Sequence, residues 1–100
     1  MIVTILEANI EPGRESDLAA AYAQAVASNN RPAGLVRSEL LRDAVDPTRW
    51  RIQTSWQNRQ VLEAMRGTGT PAGILMFRSA GAEPTTSIFE VVDDLPPLAG

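Results

Sequence analysis

Residues 50–56 read Trp-Arg-Ile-Gln-Thr-Ser-Trp, and this stretch decides the fold. Large apolar side chains alternate along it with polar ones, a pattern typical of a strand whose two faces meet different surroundings. One face carries Trp50, Ile52, Thr54 and Trp56, and the other carries Arg51, Gln53 and Ser55. We therefore expect a sheet whose tryptophan-bearing face packs against helices.

Three further segments also have the character of strands. The four predicted strands span residues 2–10, 35–42, 48–56 and 85–92. Asp46 precedes Pro47 between the second and third of them, and this dipeptide favours a turn. The two middle strands therefore form a β-hairpin.

Helices are predicted in the two remaining regions. Leu18, Tyr22 and Val26 form one apolar stripe of a helix over residues 14–28. A short helix with Asn58 as N-cap follows the hairpin, and a third helix extends from residue 71 to residue 80 with Thr70 as N-cap. The apolar run 74–77 in this last segment is also compatible with a buried strand, since periodicity does not distinguish the two.

The order β-α-β-β-α-(α)-β is that of an α+β, ferredoxin-like split β-α-β fold with a four-stranded antiparallel sheet. We expect one domain over residues 1–92 and a C-terminal tail over residues 93–100. The first strand is apolar on both faces, with Ile2 and Leu6 on one side and Val3 and Ile5 on the other. One layer of helices covers a single face, so we expect a homodimer in which two sheets pack face to face.

The composition excludes several classes of function. The chain has no Cys, His or Lys, which removes thiolate and imidazole catalysis, lysine Schiff bases and the usual ligands of zinc and haem. Nine arginines against 12 acidic residues give a net charge of −3, which disfavours nucleic-acid binding. No apolar run approaches the roughly 18 residues of a membrane span, and the N-terminus lacks a basic leader. We expect a cytoplasmic protein without a metal or another cofactor.

Several segments together resemble the antibiotic biosynthesis monooxygenase family of the dimeric α+β barrel superfamily. They are Pro12-Gly13-Arg14-Glu15, the hairpin from Leu40 to Trp50, the junction Ser55-Trp56-Gln57-Asn58 with Leu62-Glu63-Ala64, and the closing Phe89-Glu90-Val91-Val92. The resemblance implies a homodimeric barrel with one pocket per subunit, between the sheet and its helices.

Members of this family differ in chemistry. Some oxygenate aromatic polyketides or quinols without metal or flavin, and others degrade haem. This chain is similar to the haem branch in Trp56, but it has Met65 where that branch places a histidine on the second helix, and that branch has its strand-one asparagine earlier than Asn9. The resemblance therefore implies a cofactor-independent monooxygenase acting on a planar phenolic, quinol or polyketide-like compound.

Three residues are candidates for catalysis. Trp56 is either a core aromatic or a ring that stacks on the substrate while its N–H donates to a developing oxyanion. Arg78, which lies in an apolar run, is either ion-paired or a pocket cation for a phenolate, as the resemblance implies. Asn9 ends the first strand and is either a turn residue or a catalyst. Candidate substrate-binding residues, each of which is alternatively a core residue, are Tyr22, Met65, Met76 and Phe77.

Strand carboxylates are the remaining candidates. Glu7, Glu39 or Glu90 would become a base if buried, but cross-strand pairing with Arg37 or Arg51 is the simpler interpretation. The leading function is a monooxygenase that binds a small aromatic or apolar ligand. The alternative is a non-catalytic homodimeric module that binds such a ligand or serves a structural role.

Overall fold

The computed structural model, which describes residues 1–28 and 31–96, contains one four-stranded sheet with helices against one face. Its strands are β1 (Ile2–Asn9), β2 (Leu35–Arg42), β3 (Arg49–Trp56) and β4 (Thr85–Glu90). The helices are α1 (Glu15–Ala27), α2 (Arg59–Arg66) and α3 (Ala72–Ser79). All strand pairs are antiparallel, in the order β2-β3-β1-β4. The predicted α+β ferredoxin-like fold is confirmed.

The predicted faces of β3 are also confirmed. Ile52, Thr54 and Trp56 are buried, whereas the alternate side chains remain partly exposed. Asn58 caps α2 as expected, because its side-chain oxygen accepts a hydrogen bond from the Val61 N–H at 2.9 Å. No helix in the described part of the chain is long and apolar enough to cross a membrane.

Within the described residues, the structure differs from the prediction by more than one residue, or in the type of element, only around α3 and at the end of β4. The segment 74–77 is helical, so the strand alternative is wrong, and Pro71 rather than Thr70 occupies the N-cap of α3. Pro71 suits this position because its carbonyl accepts from the N–H of Ile74, while its ring nitrogen carries no hydrogen that would need an acceptor. β4 ends at Glu90 rather than at residue 92, since Glu90 pairs with Ile2, where β1 begins.

The core consists of two clusters beneath the helices. The first contains Leu6, Ile10, Leu18, Ile52, Phe77 and Ala80, and the second contains Ile2, Trp56 and Leu62. Leu18 of α1 and Phe77 of α3 are completely buried, and these two helices contact each other over the first cluster. A completely buried phenylalanine that is truncated to alanine typically costs about 3–5 kcal/mol, so Phe77 is a principal source of stability.

The other face of the sheet, which we call the open face, has no helix against it. Its apolar side chains are Val3, Ile5, Leu41 and Phe89, as the strand register requires. Phe89 is 53% exposed. β1 is therefore apolar on both faces, as expected, and the helices of the chain cover only one of them.

The hairpin between β2 and β3 is held by Asp43. Its carboxylate accepts from the backbone N–H groups of Val45 and Asp46 at 2.8 and 2.9 Å. These bonds, of which that from Asp46 contributes most, hold the pKa of Asp43 below its usual value. The turn therefore depends on Asp43 as well as on Asp46-Pro47, the dipeptide that predicted it from the sequence.

We predict that Asp43→Ala destabilises the protein in a pH-dependent way. A carboxyl whose pKa is lowered on folding stabilises the native state above its unfolded pKa of about 4, and this contribution is lost as the pH falls through the lower folded pKa. In urea titrations, the variant should unfold earlier than wild type at about pH 7. The difference should shrink steadily as the pH falls from about 5 to about 2.

Asp43→Asn is the matched control, because it keeps an acceptor oxygen while removing the titration. It should lose less stability than Asp43→Ala at neutral pH. A deficit of Asp43→Ala that stayed constant down to about pH 2 would contradict this account of the turn.

Candidate functional site

A cavity of about 750 Å³ lies between the helices and the sheet. Its lining includes Leu6 and Ile52 from the first core cluster and Trp56 and Leu62 from the second, so it occupies the gap between them. Further lining residues come from α1, β2, α3 and the segment before α3, namely Tyr22, Ala25, Val26, Leu35, Ser38, Thr68, Thr70, Pro71, Ile74 and Met76. The volume falls within the range of small-molecule sites.

Three hydroxyl side chains form a row along the sheet side of this cavity. The strand register places Ser38 of β2 opposite Thr54 of β3, and Thr54 opposite Thr4 of β1. All three line the cavity, and we call them the hydroxyl row. The adjacent rows on the same three strands are apolar: Leu40, Ile52 and Leu6 on one side, and Leu35, Trp56 and Ile2 on the other.

The hydroxyl row is hydrogen-bonded to an aromatic residue at each end. The Tyr22 hydroxyl donates to Ser38 Oγ at 2.9 Å, and Trp56 Nε1–H donates to Thr4 Oγ1 at 3.0 Å. Within the row, Ser38 Oγ and Thr54 Oγ1 lie 3.4 Å apart. In the described residues every buried side-chain nitrogen or oxygen has a hydrogen-bond partner. The row is therefore held in place by bonds donated from outside it.

This arrangement leaves an excess of donors. The three hydroxyls carry three protons, and the contact between Ser38 and Thr54 uses one of them, so two remain. The described part of the chain shows no other acceptor for these two protons. A carbonyl or phenolate oxygen in the cavity is the acceptor that such a row suits.

Four of the residues predicted for the site do line the cavity: Tyr22, Trp56, Met65 and Met76. The two interpretations of Trp56 are both partly met, since its side chain is 4% exposed within the core and also borders the cavity. Its N–H, however, already donates to Thr4. Any effect of this N–H on a ligand oxygen in this arrangement therefore passes through the Thr4 hydroxyl.

The other three predicted site residues lie elsewhere, which corrects the expectation that they face the pocket. Phe77 is completely buried in the first core cluster. Arg78 is an exposed residue whose guanidinium donates to both carboxylate oxygens of Glu83 at 2.9 Å. This bonding raises the pKa of Arg78 and lowers that of Glu83. Asn9 borders a separate, smaller depression of about 320 Å³.

Strand carboxylates are not part of the cavity lining either. Glu7 pairs with Arg51 at 2.6 Å on the open face, which confirms the expected cross-strand interaction, and Glu39 pairs with Arg37 on its own strand. Glu90 is exposed at the end of β4. Within residues 1–28 and 31–96 no group of three or more His, Cys, Asp or Glu side chains could hold a metal ion.

The hydroxyl row was not predicted from the sequence. Thr54 was placed on the tryptophan-bearing face, yet the neighbours Thr4 and Ser38 become recognisable only when the strand register is known. The sequence did contain a signal for the row, because each of three strands carries a hydroxyl residue at a helix-facing position. A buried hydroxyl needs a hydrogen-bond partner.

The sequence model of the antibiotic biosynthesis monooxygenase family matches residues 1–70. The chain belongs to this family. The matched segment contains the whole hydroxyl row together with Tyr22 and Trp56, but not α3 or β4. No curated protein sequence matches the chain.

Solved structures of this family have the same fold. A proposed antibiotic biosynthesis monooxygenase from Deinococcus radiodurans is 10% identical, with a TM-score of 0.75 over 99% of this chain and 100% of that one. A proposed member from Nitrosomonas europaea is 20% identical, with a TM-score of 0.72 over 93% of this chain and 100% of that one. SnoaB, a cofactor-independent oxygenase from Streptomyces nogalater, is 15% identical, with a TM-score of 0.70 over 96% of this chain and 97% of that one.

We predict that Tyr22 and Ser38 are energetically coupled. Tyr22→Phe and Ser38→Ala each remove one partner of a part-buried hydrogen bond, so their destabilisations should not add. A double-mutant cycle by urea unfolding should give a coupling energy of about 0.5–1.5 kcal/mol. Tyr22→Phe combined with Thr48→Val in the distant hairpin should instead be additive, and additivity in both pairs would contradict the proposed network.

Proposed function

We propose that this chain is a cofactor-independent monooxygenase that acts on a planar phenolic, quinol or polyketide-like compound in the cavity. One observation carries the proposal: the hydroxyl row offers two unused protons beside the apolar residues of a ligand-sized cavity. Membership of the antibiotic biosynthesis monooxygenase family supports the same class of reaction.

The walls of the cavity suit a flat organic molecule. Met65 and Met76 come from different helices, and their unbranched thioether side chains adapt to the shape of a ligand. α3 begins in close contact with the sheet, because a Cβ added to Gly73 would lie 2.6 Å from Leu6 Cδ1. This contact limits the cavity at the start of α3, and a larger residue at position 73 would require the Leu6 side chain to move.

The proposed chemistry uses the acidity of the substrate. A ring CH₂ group conjugated with a phenol loses a proton, and the resulting anion reacts with dioxygen. One oxygen atom becomes a new carbonyl oxygen and the other leaves as water, so the four electrons lost by the carbon reduce the dioxygen. The described lining contains no Asp or Glu, so the proton passes to solvent water, and hydroxyl donors stabilise the oxyanion.

Each member of the site then has a defined role. Thr4 and Thr54 are the proposed donors to the substrate oxygen. Trp56 and Tyr22 are positioning residues, since the Trp56 N–H holds Thr4 and the Tyr22 hydroxyl holds Ser38, which contacts Thr54. Arg78 and Asn9, which lie outside this cavity, take no part in the proposed reaction.

We predict that Thr4→Val and Thr54→Val each lower the rate of dioxygen uptake with an anthrone by about tenfold to a hundredfold, as loss of one oxyanion donor does. Valine keeps the shape of threonine, so the cavity volume should not change. Trp56→Phe keeps an aromatic ring but removes the N–H that donates to the Thr4 hydroxyl. It should lower the rate of dioxygen uptake by about tenfold. An oxygen electrode in metal-free buffer gives these rates.

Thr48→Val, in the hairpin away from the cavity, is the matched control and should retain the wild-type rate. Anthrone binding, followed by isothermal titration calorimetry because Trp56→Phe removes the tryptophan beside the cavity, should stay within several-fold in all variants. If wild type binds a panel of anthrones and dihydroxynaphthalenes but takes up no dioxygen above the buffer rate, the chain is the non-catalytic ligand-binding module instead.

We also propose that the chain forms a homodimer through the open face. Val3, Ile5 and Leu41 are only partly buried there, and Phe89 is 53% exposed beside them. A second copy of the same face would cover this apolar surface, in an isologous arrangement of two sheets. The ion pair between Glu7 and Arg51 would then border the contact.

Sedimentation equilibrium should give twice the 10.8 kDa mass of the chain at micromolar concentration. Phe89→Glu should shift the protein toward monomer, because a charge would be buried without a partner. Val45→Glu, at a hairpin position that is 93% exposed, should leave the dimer intact. A wild-type protein that sedimented as a monomer would remove this proposal.

A further inference from the structure

The partners of the nine arginines separate them into two groups. Six have an acidic or aromatic partner: Arg14 with Asp17, Arg37 with Glu39, Arg49 and Arg51 with Glu7, Arg78 with Glu83, and Arg42 over the Trp50 ring at 5.7 Å. Arg31, Arg59 and Arg66 have no such partner among the residues that the structure describes. Their guanidinium groups are therefore available to a ligand.

Two of these three arginines border the cavity. Arg31 and Arg66 belong to its lining, and Arg59 does not. Both are exposed residues, so each lies where the cavity meets solvent. The lining carries these two positive charges and no Asp or Glu within the described residues, although the chain as a whole has a net charge of −3.

We propose that the ligand of this cavity is an aromatic acid whose carboxylate is bound by Arg31 and Arg66. This inference rests on the proposed function only in taking the cavity as the ligand site. The carboxylate lies at the open side, and the rings extend toward Met65, with a phenolic oxygen at the hydroxyl row. Guanidinium groups bind carboxylates through paired, charge-assisted hydrogen bonds, which gives them a geometric preference for this group.

Helix electrostatics alone do not account for this pair of arginines. Arg66 lies in the last turn of α2, where a cation is favoured by the helix dipole whatever the function. Arg31 lies outside any helix, between α1 and β2. Arg31 therefore adds a positive charge to the cavity lining that the helix dipole does not explain.

The experiment compares two ligands that differ by one charge: rhein, a dihydroxyanthraquinone carboxylic acid, and its uncharged methyl ester. Wild type should bind rhein about tenfold more tightly in isothermal titrations at low salt, since exposed ion pairs give modest gains that add over two arginines. The preference should decrease as salt is added. Arg31→Gln with Arg66→Gln should abolish the preference by weakening rhein binding much more than ester binding.

Arg59→Gln is the matched control, because Arg59 is an exposed and unpaired arginine at the other end of α2. It removes the same charge and should keep the preference for rhein. Equal binding of rhein and its ester by wild type, or a preference that survives the double substitution, would overturn the inference. Unchanged urea unfolding would show that the double variant is folded.

The outcome is separable from that of the monooxygenase proposal. A preference for rhein that depends on Arg31 and Arg66 supports the inference even if no anthrone supports dioxygen uptake. Dioxygen uptake without any charge preference overturns the inference and leaves the monooxygenase standing. Failure to bind either compound counts against both proposals, since both require the cavity to accept a planar ligand.

Discussion

The antiparallel register of β2, β3 and β1 is the constraint on which the candidate site depends. It places Ser38, Thr54 and Thr4 side by side on the face that the helices cover. A shift of β1 by one residue would replace Thr4 with a residue from the open face and would reverse every side chain of that strand. The apolar residues that flank Thr4 on β1 oppose such a shift, because Ile2 and Leu6 would leave the core.

A polar row in a mostly apolar face is costly unless it is hydrogen-bonded. A buried hydroxyl without a partner costs about 1–3 kcal/mol, and Thr54 is only 8% exposed. Tyr22 and Trp56 offset this cost at the two ends of the row. The same two aromatic side chains also pack against the core clusters, so stability of the fold and orientation of the hydroxyls depend on shared residues.

Much of the fold could be predicted from the sequence because its signals are local. The alternation of residues 50–56, the Asn58 cap and the turn around Asp46-Pro47 each act within a few residues of the chain. The ends of an element were predicted less well where they depend on a strand or helix that is far away in the sequence. β4 stops where β1 begins, and the choice between helix and strand for residues 74–77, which the sequence left open, follows from the contacts of α3 with α1 and the sheet.

The site was predicted only in part, for the same physical reason. Tyr22, Trp56, Met65 and Met76 border the cavity, because apolar spacing indicates which side of an element faces inward. Of the two alternatives for Arg78, the structure has the ion pair, whose partner Glu83, five residues later, could not be identified from the apolar neighbours of Arg78. Thr4 and Ser38 could not be selected, since three isolated hydroxyls become a row only through pairing of strands.

The structure of a complex with a dihydroxyanthraquinone tests the central claim most directly, because it shows which surface holds the ligand and which atoms contact it. The account predicts a ligand oxygen within about 2.6–3.2 Å of the Thr4 and Thr54 hydroxyls, with the rings beside Met65 and Met76. A ligand bound on the open face, or in the depression beside Asn9, with nothing in contact with the hydroxyl row, would contradict it.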